Sequence, residues 1–195
     1  ALAAGAAPDA TGVAPSASLL SIRVTDDSGV SDSFTLARAI VAAIDNGAHV
    51  INISLGAYSS SAVLTNALNQ AEAAGVVVVA SAGNDQAAQL TWPAADPRVV
   101  SVGAIDALEQ QVVFSNSGEN LDISAPGYGV QTAWVNGQRV TFSGTSASSP
   151  IVAGAIAAVM SQSPGLTATD AAEIVRQHSN DAGAAGADAD FGQGI

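Results

Sequence analysis

The chain has 195 residues, 48% of them hydrophobic, and a formal net charge of −12. Its five basic residues are all arginines, Arg23, Arg38, Arg98, Arg139 and Arg176, set against 17 acids; a duplex or an anionic membrane surface would be repelled, so no nucleic-acid or membrane partner is expected. No cysteine is present, which removes disulfides, thiol catalysis and thiolate metal sites together.

The length suffices for one domain with a real core, and the Ala- and Gly-rich composition with few aromatics suits helices packed tightly on a sheet. Ser18–Val24 reads as a strand, followed by a turn cluster at Asp26-Asp27-Ser28-Gly29. Ser33 to Asn46 reads as a helix: Phe34, Ala37, Val41 and Ile44 share one face, Asp32 can cap the start and Gly47 can stop the end. Val50–Leu55 is a second strand, and Ala62 to Ala74 a second helix ending at Gly75. Val76–Ala80 is a third strand whose unbroken apolar run fits burial on both faces, and Val99–Gly103 is a fourth. This alternation predicts an α/β fold of three layers, with a mostly parallel sheet flanked by helices.

The pattern then changes. Val130 to Phe142 reads as a hairpin about Asn136-Gly137, a type I′ turn signal. Next comes Gly144-Thr145-Ser146-Ala147-Ser148-Ser149-Pro150, then an apolar helix through Ile151–Met160. This places the Ser146 hydroxyl at a helix start, where free N–H groups can hold a developing negative charge, and sets Pro150 early in the helix. A last helix runs from the capping box Thr167-x-x-Asp170 to about His178, and Asp181 to Asp190 reads as loop. The longest apolar runs, Val76–Ala80 and Ile151–Met160, fall short of the roughly 20 residues that span a bilayer.

In an open parallel sheet, ligands bind beyond the carboxyl ends of the strands. Ser28-Gly29-Val30, Ser54-Leu55-Gly56 and Ser81-Ala82-Gly83-Asn84 all leave strands there. In isolation Asn84 reads as a turn residue satisfying its own backbone, and the other two as ordinary strand exits. Beside Ser146, however, an Asn84 amide could donate to an oxyanion, and the small-residue exits could pair with a peptide as added strands.

The run Gly144-Thr145-Ser146-x-Ser148-x-Pro150-x-Val152-Ala153-Gly154 resembles the serine motif of subtilisin-like proteases. Ahead of it, Gly12-Val13-Ala14-Pro15, Val50–Gly56, Ser81–Asn84 and Ala125-Pro126-Gly127 come in an order similar to that family over nearly the whole chain. The resemblance implies a serine endopeptidase acting on polypeptide substrates, with Ser146 as nucleophile and Asn84 as side-chain oxyanion donor. It also implies Ser54-Leu55-Gly56 and Ser28-Gly29-Val30 as rails for the substrate backbone, and Ser81-Ala82-Gly83 as lining of the first specificity pocket. The related sedolisins share Gly-Thr-Ser but carry Asp where this chain has Asn84.

A serine nucleophile needs a base, and the base an orienting acid. The family carries them in Asp-Thr-Gly-like and His-Gly-Thr-like segments, and this chain holds neither. His49 precedes the second strand, at the wrong end of the sheet, and His178 suits a helix end; both read as structural. The expectation is therefore a partial domain over residues 1–195, cut from something longer, its amino-terminal strands missing and its stability alone poor. The missing segment is the expected partner. The competing class is a non-catalytic, peptide-binding or structural relative of the proteases. A metal-dependent hydrolase is poorly supported, since Asp26, Asp27, Asp188 and Asp190 read as solvated loop acids. No cofactor is expected for the chemistry and no metal site is assigned. Structural calcium is a property of the family, but the loop at residues 6–11 is poor in oxygen ligands and Asp181 to Asp190 is only a weak candidate. The family implies secretion.

Overall fold

The computed structural model describes residues 1–7 and 10–195. After a short antiparallel pair, β1 (Ala6–Ala7) and β2 (Ala10–Thr11), the chain alternates α1 (Ser33–Asp45), β3 (Val50–Ile53), α2 (Ala62–Ala73), β4 (Val77–Ser81), β5 (Val99–Ile105) and β6 (Ile123–Pro126). A hairpin follows, β7 (Val130–Ala133) and β8 (Arg139–Phe142), then α3 (Thr145–Gln162) and α4 (Ala168–Gln177). The central sheet has the order β3-β4-β5-β6, every neighbour pair parallel, with Ile53 beside Ala80, Ala80 beside Ser101 and Gly103 beside Ser124.

All of β4 and β5 is buried, which is why these strands show no polar alternation. Alternate residues still face opposite layers. Val78, Ala80 and Val99 pack with Ile40 of α1 and Leu64 and Leu68 of α2. Val77, Val79, Val100 and Val102 pack with Val152 and Ile156 of α3 and Ala171 of α4. α3 touches all four strands of the sheet, and Ile156, fully buried, lies at its centre. Truncation there would cost on the order of 2–5 kcal/mol.

The local signals act as the sequence suggests. Asp32 accepts from the N–H groups of Phe34 and Thr35, both at 2.8 Å, and Gly47 takes the left-handed φ of 75° after α1. Thr167 and Asp170 form the capping box of α4. Asn136 and Gly137 both have positive φ, and Gln138 N–H donates to Val135 O at 3.2 Å, the turn expected at the hairpin tip.

Three expectations need correction. Residues 18–24 are not a strand: they pair with no strand among the described residues, and Leu19 and Leu20 are exposed. A strand is held by its neighbour, and here a cavity lies where the neighbour would run. β6, unforeseen as a strand, closes the far side of the sheet. The serine helix begins at Thr145, so Pro150 sits well inside it. Pro150 has no N–H to offer the Ser146 carbonyl, and Ser54 Oγ donates to that carbonyl instead, at 3.3 Å.

Candidate active site

The site forms where β3 and β4 end against the start of α3. Gly144 precedes the helix with φ of 151°, a backbone conformation that residues with side chains rarely adopt, and the Asn84 amide lies in ordinary contact range of this position. The Asn84 Oδ1 accepts from Thr145 N–H at 2.8 Å and from Thr145 Oγ1 at 3.0 Å. With the oxygen engaged, the amide nitrogen is left as the outward donor. Among the described residues, neither Asn84 Nδ2 nor the Ser146 backbone N–H has a hydrogen-bond partner. Two donors without partners among the described residues thus stand at the positive end of the 18-residue helix that carries Ser146. Ser146 Oγ itself reaches Ser54 O at 3.5 Å, a long contact that leaves it free to react.

Asn116, fully buried, supports this arrangement from behind. Its Oδ1 accepts from the N–H groups of Asp85 and Ala87 at 2.9 and 3.1 Å, and its Nδ2 donates to Gln89 O and Tyr58 Oη at 2.9 and 3.0 Å. Its own N–H donates to Gly83 O at 3.0 Å. The loop carrying Asn84 is thereby fixed on both flanks by one residue, through its side chain on one flank and its backbone N–H on the other. Tyr58 in turn donates to Asp85 at 2.7 Å, and that hydrogen bond pushes the phenol above its ordinary range.

Of the residues proposed from the sequence, Ser146 contacts Ser54, and Asn84 bonds Thr145 beside them. Leu55 and Gly56 leave β3 without backbone partners among the described residues until Ala57 bridges to Trp92. Gly56 lies against Thr91 so closely that a Cβ would collide with its side chain. Ser28-Gly29-Val30 is not an open edge. Asp26 draws the N–H groups of Ser28 and Val30 to its carboxylate, both at 2.9 Å, and Val30 O accepts from Asp26 N–H, so the segment closes into a turn. Ala82 is fully buried against Leu90 and Leu121, Ser81 is buried and Gly83 half-buried. Thr145 lay inside the quoted motif but was given no role. Asn116 carried no periodic or spacing signal and is visible only through its contacts.

No described histidine or carboxylate hydrogen-bonds Ser146. His49 stands at the start of β3, roughly 16 Å from Ser54 along the strand, and His178 caps α4 through Nδ1 to Ile174 O at 2.8 Å. Among the described residues no cluster of three or more acids or histidines could hold a metal ion. In the 181–190 loop, Asp181 and Asp188 accept backbone N–H groups from Gly186 and Ala184 as turn caps. Part of the 6–11 loop, residues 8 and 9, lies outside the described residues. Among the described residues no helix is long and apolar enough to cross a membrane.

The profile of the Subtilase family matches residues 1–194. The chain is 39% identical over 166 residues to a thermostable alkaline protease of Halalkalibacterium halodurans, covering 85% of this chain and 46% of that protein. It is 41% identical over 153 residues to subtilisin Savinase of Lederbergia lenta, covering 78% and 57%. The chain spans about half the length of the curated relatives it matches. Among solved structures, that of the S41 psychrophilic protease superposes with a TM-score of 0.92 at 31% identity, over 100% of this chain and 74% of that one.

Proposed function

The chain belongs to the subtilase family, and from that premise we propose that residues 1–195 are the nucleophile-bearing part of a single serine endopeptidase domain. Ser146 Oγ attacks the scissile carbonyl of a polypeptide substrate. The tetrahedral oxyanion takes hydrogen bonds from Ser146 N–H and Asn84 Nδ2. A histidine outside these residues receives the Ser146 proton and returns it to the leaving amine, held by an aspartate from the same missing segment. Water then cleaves the acyl-enzyme. Ser54-Leu55-Gly56, which makes no backbone–backbone hydrogen bond among the described residues, offers its backbone to the substrate as a strand edge. The proposed chemistry draws on side chains and backbone donors alone. An extracytoplasmic location accompanies this reading as an implication of the family.

The observation that carries the proposal is the Asn84 amide. Thr145 ties down its oxygen and so leaves its nitrogen, with Ser146 N–H, as a pair of unpartnered donors at a helix start. The absence of a base beside Ser146 among the described residues favours one second reading, a peptide-binding relative without catalysis. A fluorophosphonate probe separates the two. On the longer protein containing residues 1–195, labelling that disappears in Ser146→Ala is the expected result. No labelling of that protein would establish the binder. Residues 1–195 alone are expected to stay unlabelled.

A further inference from the structure

Two segments flank Ser146, and the side chain of Thr91 lies between them. Ser54-Leu55-Gly56 continues from β3 on one side, and Ala82-Gly83-Asn84 continues from β4 on the other. Thr91 is buried, in contact range of both glycines. A Cβ on Gly56 would collide with the Thr91 hydroxyl, and one on Gly83 would stand 3.0 Å from the Thr91 methyl group Cγ2 and collide with Asn116 Nδ2. Both glycines thus turn their side-chain positions toward the same threonine, which fits there only because neither carries a Cβ.

The gap between these two walls has a fixed width. Thr91 N–H donates to Ala82 O at 2.9 Å on one wall. The next residue, Trp92, exchanges two hydrogen bonds with Ala57 on the other: its N–H donates to Ala57 O at 2.7 Å, and its O accepts from Ala57 N–H at 3.1 Å. Residues 91 and 92 therefore stitch the walls together. The Thr91 hydroxyl donates to Ala82 O at 3.3 Å, which leaves the methyl group facing the space between the glycines. Tyr58, two residues beyond Gly56, crosses from one wall to the other. Its hydroxyl donates to Asp85 at 2.7 Å and accepts from Asn116 Nδ2 at 3.0 Å. Thr91, Asn116 and Tyr58 close the gap, and widening it breaks at least one of these bonds.

We propose that this gap is a shallow specificity slot with Thr91 as its floor, and that it selects polypeptides carrying a small side chain, of the size of alanine or serine, on the acyl side of the scissile bond. The slot deepens the proposed function and rests on it for the placement of the substrate. With the scissile carbonyl carbon at Ser146 Oγ and its oxygen between Ser146 N–H and Asn84 Nδ2, the residue that contributes this carbonyl lies between Ser54, which Ser146 touches, and Asn84. Its side chain enters between Gly56 and Gly83. A methyl or hydroxymethyl group needs only the space above the Thr91 methyl. A phenyl ring needs the space that Thr91 and Tyr58 occupy, and close-packed side chains held by hydrogen bonds resist such overpacking. Thr91 is thus a specificity-determining residue, and Tyr58 keeps the far end of the slot shut.

The test uses the longer protein containing residues 1–195 and two chromogenic peptide anilides that differ only in the residue before the anilide, alanine in one and phenylalanine in the other. The parent should cleave the alanine peptide with a kcat/KM higher by roughly tenfold or more, the scale on which a pocket separates side chains. Thr91→Gly removes the floor and should move the ratio toward phenylalanine by about tenfold. Thr91→Ser keeps the hydroxyl that bonds Ala82 and deletes only the methyl group, so it reports on the floor even where Thr91→Gly fails to fold. It should move the ratio in the same direction by a smaller factor. A parent that prefers phenylalanine overturns the slot, and so does a ratio that stays fixed in the folded variants. Fluorophosphonate labelling is scored apart: labelling together with a phenylalanine preference retains the catalytic reading and removes the slot. With neither labelling nor cleavage the catalytic reading fails, and isothermal titration with the same two peptides as amides decides the slot. Tighter binding of the alanine peptide then retains it, and equal, reversed or absent binding overturns it.

Discussion

Thr145 and Asn84, 61 positions apart in the chain, are joined by two hydrogen bonds to a single oxygen, from Thr145 N–H at 2.8 Å and from its hydroxyl at 3.0 Å. This orients an amide that would otherwise rotate freely at the surface. In the longer protein, Asn84→Ala should lower kcat by about 10²–10³ and leave KM nearly unchanged, because the lost bond exists only in the transition state. That scale comes from the same kind of donor in a subtilisin, not from this chain. Steady-state kinetics on a chromogenic peptide would decide it, and a change confined to KM would remove Asn84 from the oxyanion site.

Thr145→Val keeps the branched shape of a fully buried residue and removes one of the two bonds to Asn84. The backbone bond remains, so the amide loses orientation without losing its place. A fall in kcat of roughly tenfold is expected, about the value of one hydrogen bond. The double variant Thr145→Val with Asn84→Ala should lose less than the two single effects combined, since the threonine hydroxyl acts in part through the asparagine and also accepts from Gly83 N–H at 3.3 Å.

Asn116→Ala leaves the N–H groups of Asp85 and Ala87 and the carbonyl of Gln89 without partners. A loss on the order of 3 kcal/mol is expected, at about 2–4 °C of Tm for each kcal/mol. Because the loop also carries Asn84, kcat should fall with stability while KM moves little. A variant that loses stability alone, with kcat intact well below its Tm, would confine Asn116 to a structural role.

How much of this could be read from the sequence differs with the kind of cause. Asp32, Gly47 and the Thr167–Asp170 box act within a few residues of themselves, so their helix ends were legible. The apolar run of β4 was legible because double-sided burial leaves no polar position. Residues 18–24 have the composition of a strand, but a strand needs a neighbour, and composition does not report one. Pro150 looked like an early helix residue because the compensating donor, Ser54, lies 92 positions from the Ser146 carbonyl it serves. Ser28–Val30 resembled an open exit until the Asp26 carboxylate closed it. Asn116 works through four partners on distant segments, and no local pattern announces such a hub.

Acid sensitivity offers a separate test at Asp32. Its carboxylate accepts the N–H groups of Phe34 and Thr35 and the Thr35 hydroxyl, and these bonds hold its pKa below the ordinary value of 3.8. A depressed folded pKa adds stability that is complete above the unfolded value and is lost as pH falls through the folded one. Asp32→Asn keeps a capping acceptor and discards the charge. In the longer protein its Tm should lie below the parent's at pH 6, with the gap closing towards pH 2. A gap that persisted at pH 2 would mean that the charge contributes nothing.

Asp122 should show the opposite slope. It stands at the start of β6, accepts from Ser101 N–H at 2.8 Å and Ser101 Oγ at 3.0 Å, and meets Arg176 at 3.4 Å. Burial nonetheless outweighs these partners and raises its pKa above 3.8. A carboxyl group whose folded pKa is raised favours the folded state while protonated, and that advantage is lost as pH rises from the unfolded value through the folded one. Asp122→Asn removes the titration and also alters the bonds to Ser101 and Arg176, which shifts Tm by an amount nearly independent of pH. The slope therefore carries the information. The Tm of Asp122→Asn minus that of the parent should climb as pH rises above 3.8 and then level off. A difference that falls over the same range would show that Ser101 and Arg176 outweigh burial and hold the carboxylate charged.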